Sequence, residues 1–143
     1  MEIKEENITR GGEFIIKETN YANVFTPEDF SEEQLMMKQA VKDFVEKEVL
    51  PHRERFENKE YKLTEDTMKK AGDLGFLGVA VPQEYGGMGM GFVSTMLVCE
   101  TISGASGSLS TAFGAHTGIG TMPIVLYGNE EQNKKFVPKL ASG

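Results

Sequence analysis

The chain has 143 residues and carries 15 Lys and Arg against 22 Asp and Glu, a net charge of −7. That length predicts one domain, and the acidic balance excludes a basic surface for nucleic acid or anionic membrane. A single cysteine excludes an internal disulfide, excludes a structural zinc site of four cysteines or of two cysteines and two histidines, and points to a reducing compartment.

Residues 1–25 read as an N-terminal arm, in which Phe14, Ile15 and Ile16 are expected to dock as a short extended piece. The acidic start MEIKEENITRGGEF has no apolar core of a signal peptide, so a cytoplasmic location is expected. The first helix is announced by Ser31 as N-cap with Gln34 three residues on, a capping box, and by Phe30 and Leu35 as a hydrophobic staple. Apolar residues then recur at Met37, Val41, Phe44, Val45 and Val49, a one-sided helical period. Pro51 is expected to kink or end it. A second helix is expected over about Thr64–Leu74, stopped by Gly75. GFLGVAVPQEYGGMGMG reads as an extended segment running into a glycine-rich loop. A third helix over about Phe92–Ser103 is expected to place Val93, Met96, Leu97 and Glu100 on one face. A fourth covers about Leu109–Tyr127, and Asn129 with Gln132 forms a capping box for a last helix. No alternating run predicts a sheet, so the fold class is all-α, an antiparallel bundle of about five to six helices.

Charge is distributed unevenly. Residues 1–71 hold 12 basic and 17 acidic side chains, residues 72–143 only 3 and 5. Across the 56 residues Leu74–Asn129 the formal charges are Glu84 and Glu100 alone, and residues 72–143 hold 14 of the 16 glycines. Leu109–Tyr127 is uncharged over 19 residues, but its serines, threonines, histidine and proline argue against a membrane span. A charge-poor stretch of this kind is expected to pack on other protein or on a ligand. The pattern breaks off at Leu140-Ala-Ser-Gly, and the chain is read as a fragment of a longer polypeptide or as an obligate oligomer.

Several residues invite a chemical reading. Gly86-Gly87-Met88-Gly89-Met90-Gly91 matches neither register of a G-x-G-x-x-G phosphate loop and lacks a following Lys-Ser/Thr, so a tight backbone crossing is expected there. In the fourth helix the small residues Ala112, Gly114, Ala115, Gly118 and Gly120, edged by Thr111, Ile119 and Met122, leave an uncharged groove that suits either a packed helix or an alkyl chain. His116 reads as a satisfied core histidine, His52 as solvated, Glu100 as a buried acceptor, and Cys99 as an inert buried thiol. No catalytic constellation is complete, and nothing here assembles a metal site.

Four stretches together resemble acyl-CoA dehydrogenases: Phe25-Thr-Pro-Glu-Asp-Phe-Ser-Glu-Glu-Gln, Val81-Pro-Gln-Glu-Tyr-Gly-Gly-Met-Gly, Gly114-Ala-His-Thr-Gly-Ile-Gly, and Gly128-Asn-Glu-Glu-Gln-Asn-Lys-Lys-Phe-Val-Pro-Lys-Leu-Ala-Ser-Gly. The arm with Gly11-Gly-Glu-Phe and the Gly-Ala-His motif look most like the larger, long-chain branch. The resemblance implies that 26–143 is the N-terminal helical domain, with the family's central β-domain and C-terminal helical domain absent from this chain. It implies a flavoprotein oxidoreductase of fatty acid β-oxidation, in which a glutamate removes the α-proton of a fatty acyl-CoA thioester while the β-hydride passes to FAD. Electron-transfer flavoprotein is the implied partner, and a homo-oligomer is expected. The family's catalytic glutamate and its flavin contacts match no residue here, so this chain alone is expected to be inactive and free of FAD. Placed without gaps on Met122-Pro-Ile124, the family's acyl-chain wall falls on Thr111, Ala112, Ala115, His116 and Ile119. Ala115 and Gly118 would leave room for longer chains. An acyl-CoA oxidase and a non-catalytic helical binding or assembly module remain the alternatives.

Overall fold

The computed structural model describes Ile8, Thr9 and residues 11–143. Among these residues every regular element is helical and no strand occurs, as the absence of alternating runs predicts. Backbone packing divides the chain into two units, Met1–Leu35 and Met36–Gly143.

In the first unit, Glu13–Ile16 forms a single helical turn, α1. The expectation of an extended, docked piece is therefore corrected: Phe14, Ile15 and Ile16 are 64%, 75% and 80% exposed. No core neighbours hold them in register, and local hydrogen bonding curls the backbone instead. Phe25 and Phe30 stack with ring centroids 5.5 Å apart. The Ser31 capping box forms: Gln34 N–H donates to Ser31 Oγ at 3.2 Å, and Ser31 N–H donates to Gln34 Oε1 at 3.0 Å. This box opens α2, Glu32–Phe44.

The second unit is a helical bundle around one main core. Beyond Phe44 the helix loosens into a π-helical stretch, Val45–Val49, tightens into a 3-10 turn at Leu50–His52, and resumes as α3, Arg53–Glu57. Pro51 lies at the break, where its missing N–H and ring geometry interrupt the ladder. The stripe read from the sequence does go inward, since Val41, Phe44, Val45 and Val49 are buried. Helix α4 runs Tyr61–Asp73, three residues longer at its start than expected, and Gly75 follows in the left-handed conformation (φ 81°). Then come α5, Gly91–Ser103; α6, Gly107–Gly114; a π-helical stretch, Ala115–Thr121; α7, Met122–Tyr127; and α8, Glu130–Ser142. Asn129 and Gln132 form the expected capping box on α8.

The main core joins Val41, Phe44, Val49, Phe56, Phe76, Val98, Ile102, Leu109 and Phe113. A smaller cluster of Val81, Val137 and Ala141 seats α8. Each fully buried aliphatic or aromatic side chain contributes roughly 1.5–3 kcal/mol relative to exposure.

The segment 76–91 departs from the extended reading. It is a pair of 3-10 turns, Phe76–Gly78 and Gln83–Tyr85, folded so that its two limbs touch. A Cβ on Gly87 would lie 2.1 Å from the Val81 carbonyl oxygen, and one on Gly78 would lie 3.3 Å from Gly87 Cα. This is the tight crossing expected of the glycine run. Val79 and Val81 are buried by neighbours distant in sequence, which is why their apolar pattern mimics a strand.

One ion pair ties the π-helical stretch to α4. Lys70 Nζ donates to Glu48, whose side chain is only 19% exposed. The Lys70 hydrogen bond, against opposing desolvation, holds the Glu48 carboxyl below its ordinary value. Because the folded value is the lower one, the pair's stabilisation is present above the unfolded carboxylate pKa of about 4.3 and is lost as pH falls through the folded value. Glu48→Gln is expected to cost about 1 kcal/mol or less near neutrality, since Lys70 is half exposed and solvent-screened. Urea denaturation across pH checks this: the difference between the two proteins should shrink below about pH 4.

Candidate functional site

An apolar cavity of about 140 Å³ lies where α5, the 76–81 turn and the helix from α6 to α7 converge. The turn contributes Phe76, Leu77, Val79, Ala80 and Val81; α5 contributes Phe92, Thr95, Met96 and Cys99; the third wall is Gly114, Thr117, Gly118 and Met122. Its two hydroxyls are already used within their own helices. Thr95 Oγ1 donates to the Gly91 carbonyl at 3.3 Å, and Thr117 Oγ1 to the Phe113 carbonyl at 2.9 Å. The cavity thus has no free orienting group except the Cys99 thiol, whose pKa is raised by burial. Such a lining takes hydrocarbon and discriminates against charge.

The π-helical stretch at Ala115–Thr121 inserts slack into this wall, and Thr121 Oγ1 donates to the His116 carbonyl at 2.8 Å to close part of it. A Cβ on Gly114 or Gly118 would meet nothing within 4 Å. These two glycines therefore face open space and not a packed helix.

The five positions read as an acyl-chain wall occupy the neighbouring surface of the same helix and do not line the cavity itself. Thr111 and Ala115 are exposed, Ala112 is half-buried, and Ile119 is 81% exposed. Thr111 Oγ1 is spent on the Gly107 carbonyl at 2.9 Å. His116 is half-buried with Nε2 2.7 Å from the Leu140 carbonyl oxygen. That bond, an Nε2–H donating to a backbone acceptor, makes it the satisfied histidine expected, pinning this helix to α8.

Two other residues differ from their sequence readings. Glu100 is not a buried acceptor: its side chain is 72% exposed and 3.9 Å from Lys38 Nζ. The inward face of α5 is Ser94, Leu97, Val98 and Ile102, with Val93 and Met96 44% and 42% exposed. The helix is apolar nearly all round, so its period gives little contrast between faces. Cys99 is half-buried and reaches the cavity wall. The contribution of the 76–81 turn to the cavity has no sequence signal, because it depends on packing between segments far apart in the chain.

The glycine-rich loop is unsuited to phosphate. Its backbone N–H groups are consumed internally, Gly87 on Pro82, Met88 on Gly78, Gly89 on Val81 and Met90 on Val79. Among the described residues no group of three metal-ligating side chains occurs, and no helix is long and apolar enough to cross a membrane.

A helical bundle with an uncharged, small-residue helix flanking an alkyl-sized cavity defines a class of apolar-chain-accommodating domains. The family profile described as "Acyl-CoA dehydrogenase, N-terminal domain" matches residues 31–143, and the chain belongs to that family. It is 46% identical over 140 residues to a probable acyl-CoA dehydrogenase of Bacillus subtilis, covering 98% of this chain and 23% of that protein. It superposes on the crystal structure of an acyl-CoA dehydrogenase complexed with FAD from Bacillus anthracis with a TM-score of 0.86 and 48% identity, covering 92% of this chain and 23% of that one. A chain in the structure of the electron transferring flavoprotein of Acidaminococcus fermentans matches with a TM-score of 0.73 and 31% identity, over 82% of this chain and 31% of that one. The chain therefore spans about a quarter of the length of its closely similar relatives.

Proposed function

We propose that this chain is the N-terminal helical part, residues 26–143, of an FAD-dependent acyl-CoA dehydrogenase that introduces an α,β double bond into fatty acyl-CoA thioesters. Its share is a wall of the acyl-chain pocket, formed by Thr111, Ala112, Ala115, His116 and Ile119. The observation that carries this reading is the uncharged surface at Thr111, Ala115 and Ile119, all exposed on one helix within a chain a quarter as long as its relatives. Small or apolar side chains at these points give room and hydrophobic contact for methylenes, each contributing about 0.8 kcal/mol when buried. His116 is spent on Leu140 and acts by holding the helix in place, not by moving a proton.

The described residues do not fit the flavin's diphosphate, because the glycine-rich loop has no amide to spare. In this proposal FAD, the catalytic base and the docking site for electron-transfer flavoprotein belong to the parts of the relatives that this chain does not span. The chain alone is expected to retain no flavin through gel filtration and to turn over no acyl-CoA with an artificial electron acceptor. A yellow eluate or measurable turnover would overturn that division of labour.

A cytoplasmic, homo-oligomeric enzyme is part of the same reading. Phe92, Ile119, Leu126 and Tyr127 are 65%, 81%, 63% and 86% exposed, a large apolar surface for a free monomer. The isolated chain is expected to self-associate, and light scattering showing a monomer over a wide concentration range would contradict this.

A further inference from the structure

We infer that the cavity behind Gly114 and Gly118 receives the hydrocarbon end of a medium to long acyl chain. This inference rests on the dehydrogenase reading and extends it to a second stretch of the substrate path. The wall residues proposed above lie on the surface of the helix, whereas the cavity lies on its flank and is enclosed by α5 and the 76–81 turn. Phe92 and Gly118, both lining and both exposed, mark where it opens. Its volume, about 140 Å³, is close to the roughly 150 Å³ apolar cavity that stays dry and admits benzene. A ligand of that size is a run of a few methylenes with a terminal methyl. A thioester, a carboxylate or a nucleotide is excluded, because the threonine hydroxyls are already committed to backbone carbonyls. The two glycines matter for a steric reason: a side chain at either position would project into open space beside the mouth. A short acyl chain would end at the wall, and a longer one would continue past Gly118 towards Met96 and Cys99.

The test uses the chain labelled at its methionine methyl groups and titrated with 1-octanol. Met96 and Met122 line the cavity, while Met36 is 73% exposed and does not line it. Saturable shifts at Met96 and Met122, without one at Met36, are expected. Gly118→Leu should weaken octanol binding by about tenfold, the loss of about two buried methylenes, and Gly118→Ala should change it little. Dodecanoyl-CoA should compete with octanol, and butyryl-CoA should not. No shift, shifts shared with Met36, indifference to Gly118→Leu, or a lack of competition by dodecanoyl-CoA would each overturn the inference. Any of these would leave the dehydrogenase reading standing, since that reading rests on the neighbouring face and is tested through flavin chemistry.

Discussion

Ala115→Leu, placed in an acyl-CoA dehydrogenase assembled around this domain, is expected to lower kcat/KM for long-chain thioesters by one to two orders of magnitude and to leave short chains nearly unchanged. Leucine adds three carbons at a position proposed to face the acyl chain. Displacing two or three methylenes forfeits about 0.8 kcal/mol each, and every 1.4 kcal/mol is tenfold in rate. Ala115 is exposed, so the larger side chain overpacks nothing buried in this chain, and the melting temperature of the isolated chain should not fall. A chain-length profile that drops uniformly would reject Ala115 as a wall residue. It would place the effect in packing against the rest of the enzyme, where overfilling costs about 1–3 kcal/mol for every substrate alike.

Gly87→Ala is expected to be strongly destabilising. The new Cβ would sit 2.1 Å from the Val81 carbonyl oxygen, 2.4 Å from Val81 Cβ and 2.5 Å from its carbonyl carbon. These are mostly backbone atoms that cannot swing aside, so the crossing of the 76–91 limbs must open. The cost should lie near the upper end of overpacking, about 3 kcal/mol, which is roughly 10 °C in Tm at this size. Opening the crossing would also loosen Val81 against Val137 and Ala141, the cluster that seats α8. Gly114→Ala is the matched control: its Cβ would meet nothing, and alanine in a helix is favoured over glycine by about 0.5–1 kcal/mol. Thermal melts of the two variants should therefore move in opposite directions, and a neutral Gly87→Ala would contradict the account of the crossing.

These two glycines also show what the chain's residues declare and what they withhold. The helix starts at Ser31 and Asn129 were legible because a capping box is local chemistry, two side chains reaching two amides within three residues. The stop at Gly75 was legible for the same reason. Residues 76–91 were misread as extended because the alternation of Val79 and Val81 looks like a strand. Their burial instead comes from a backbone crossing and from α8, both remote in sequence. The face of α5 was misjudged because nearly every residue on it is apolar. The uncharged, small-residue surface of the fourth expected helix was legible as a groove. Its π-helical slack was not, since a shifted hydrogen-bond ladder leaves no mark in side-chain periodicity. The cavity beside it needed the 76–81 turn, which only packing brings there.

The central claim is that this domain forms one wall of an acyl-CoA dehydrogenase, and grafting tests it most directly. The chain would replace the matching quarter of the Bacillus anthracis enzyme whose structure contains FAD, to which it is 48% identical. The measurement is the flavin's visible absorbance on anaerobic addition of a long-chain acyl-CoA. The account predicts that the graft retains FAD and that its absorbance bleaches with formation of the α,β-unsaturated thioester, as in the parent. A graft that is folded and yellow but does not bleach with any acyl-CoA that bleaches the parent would contradict it.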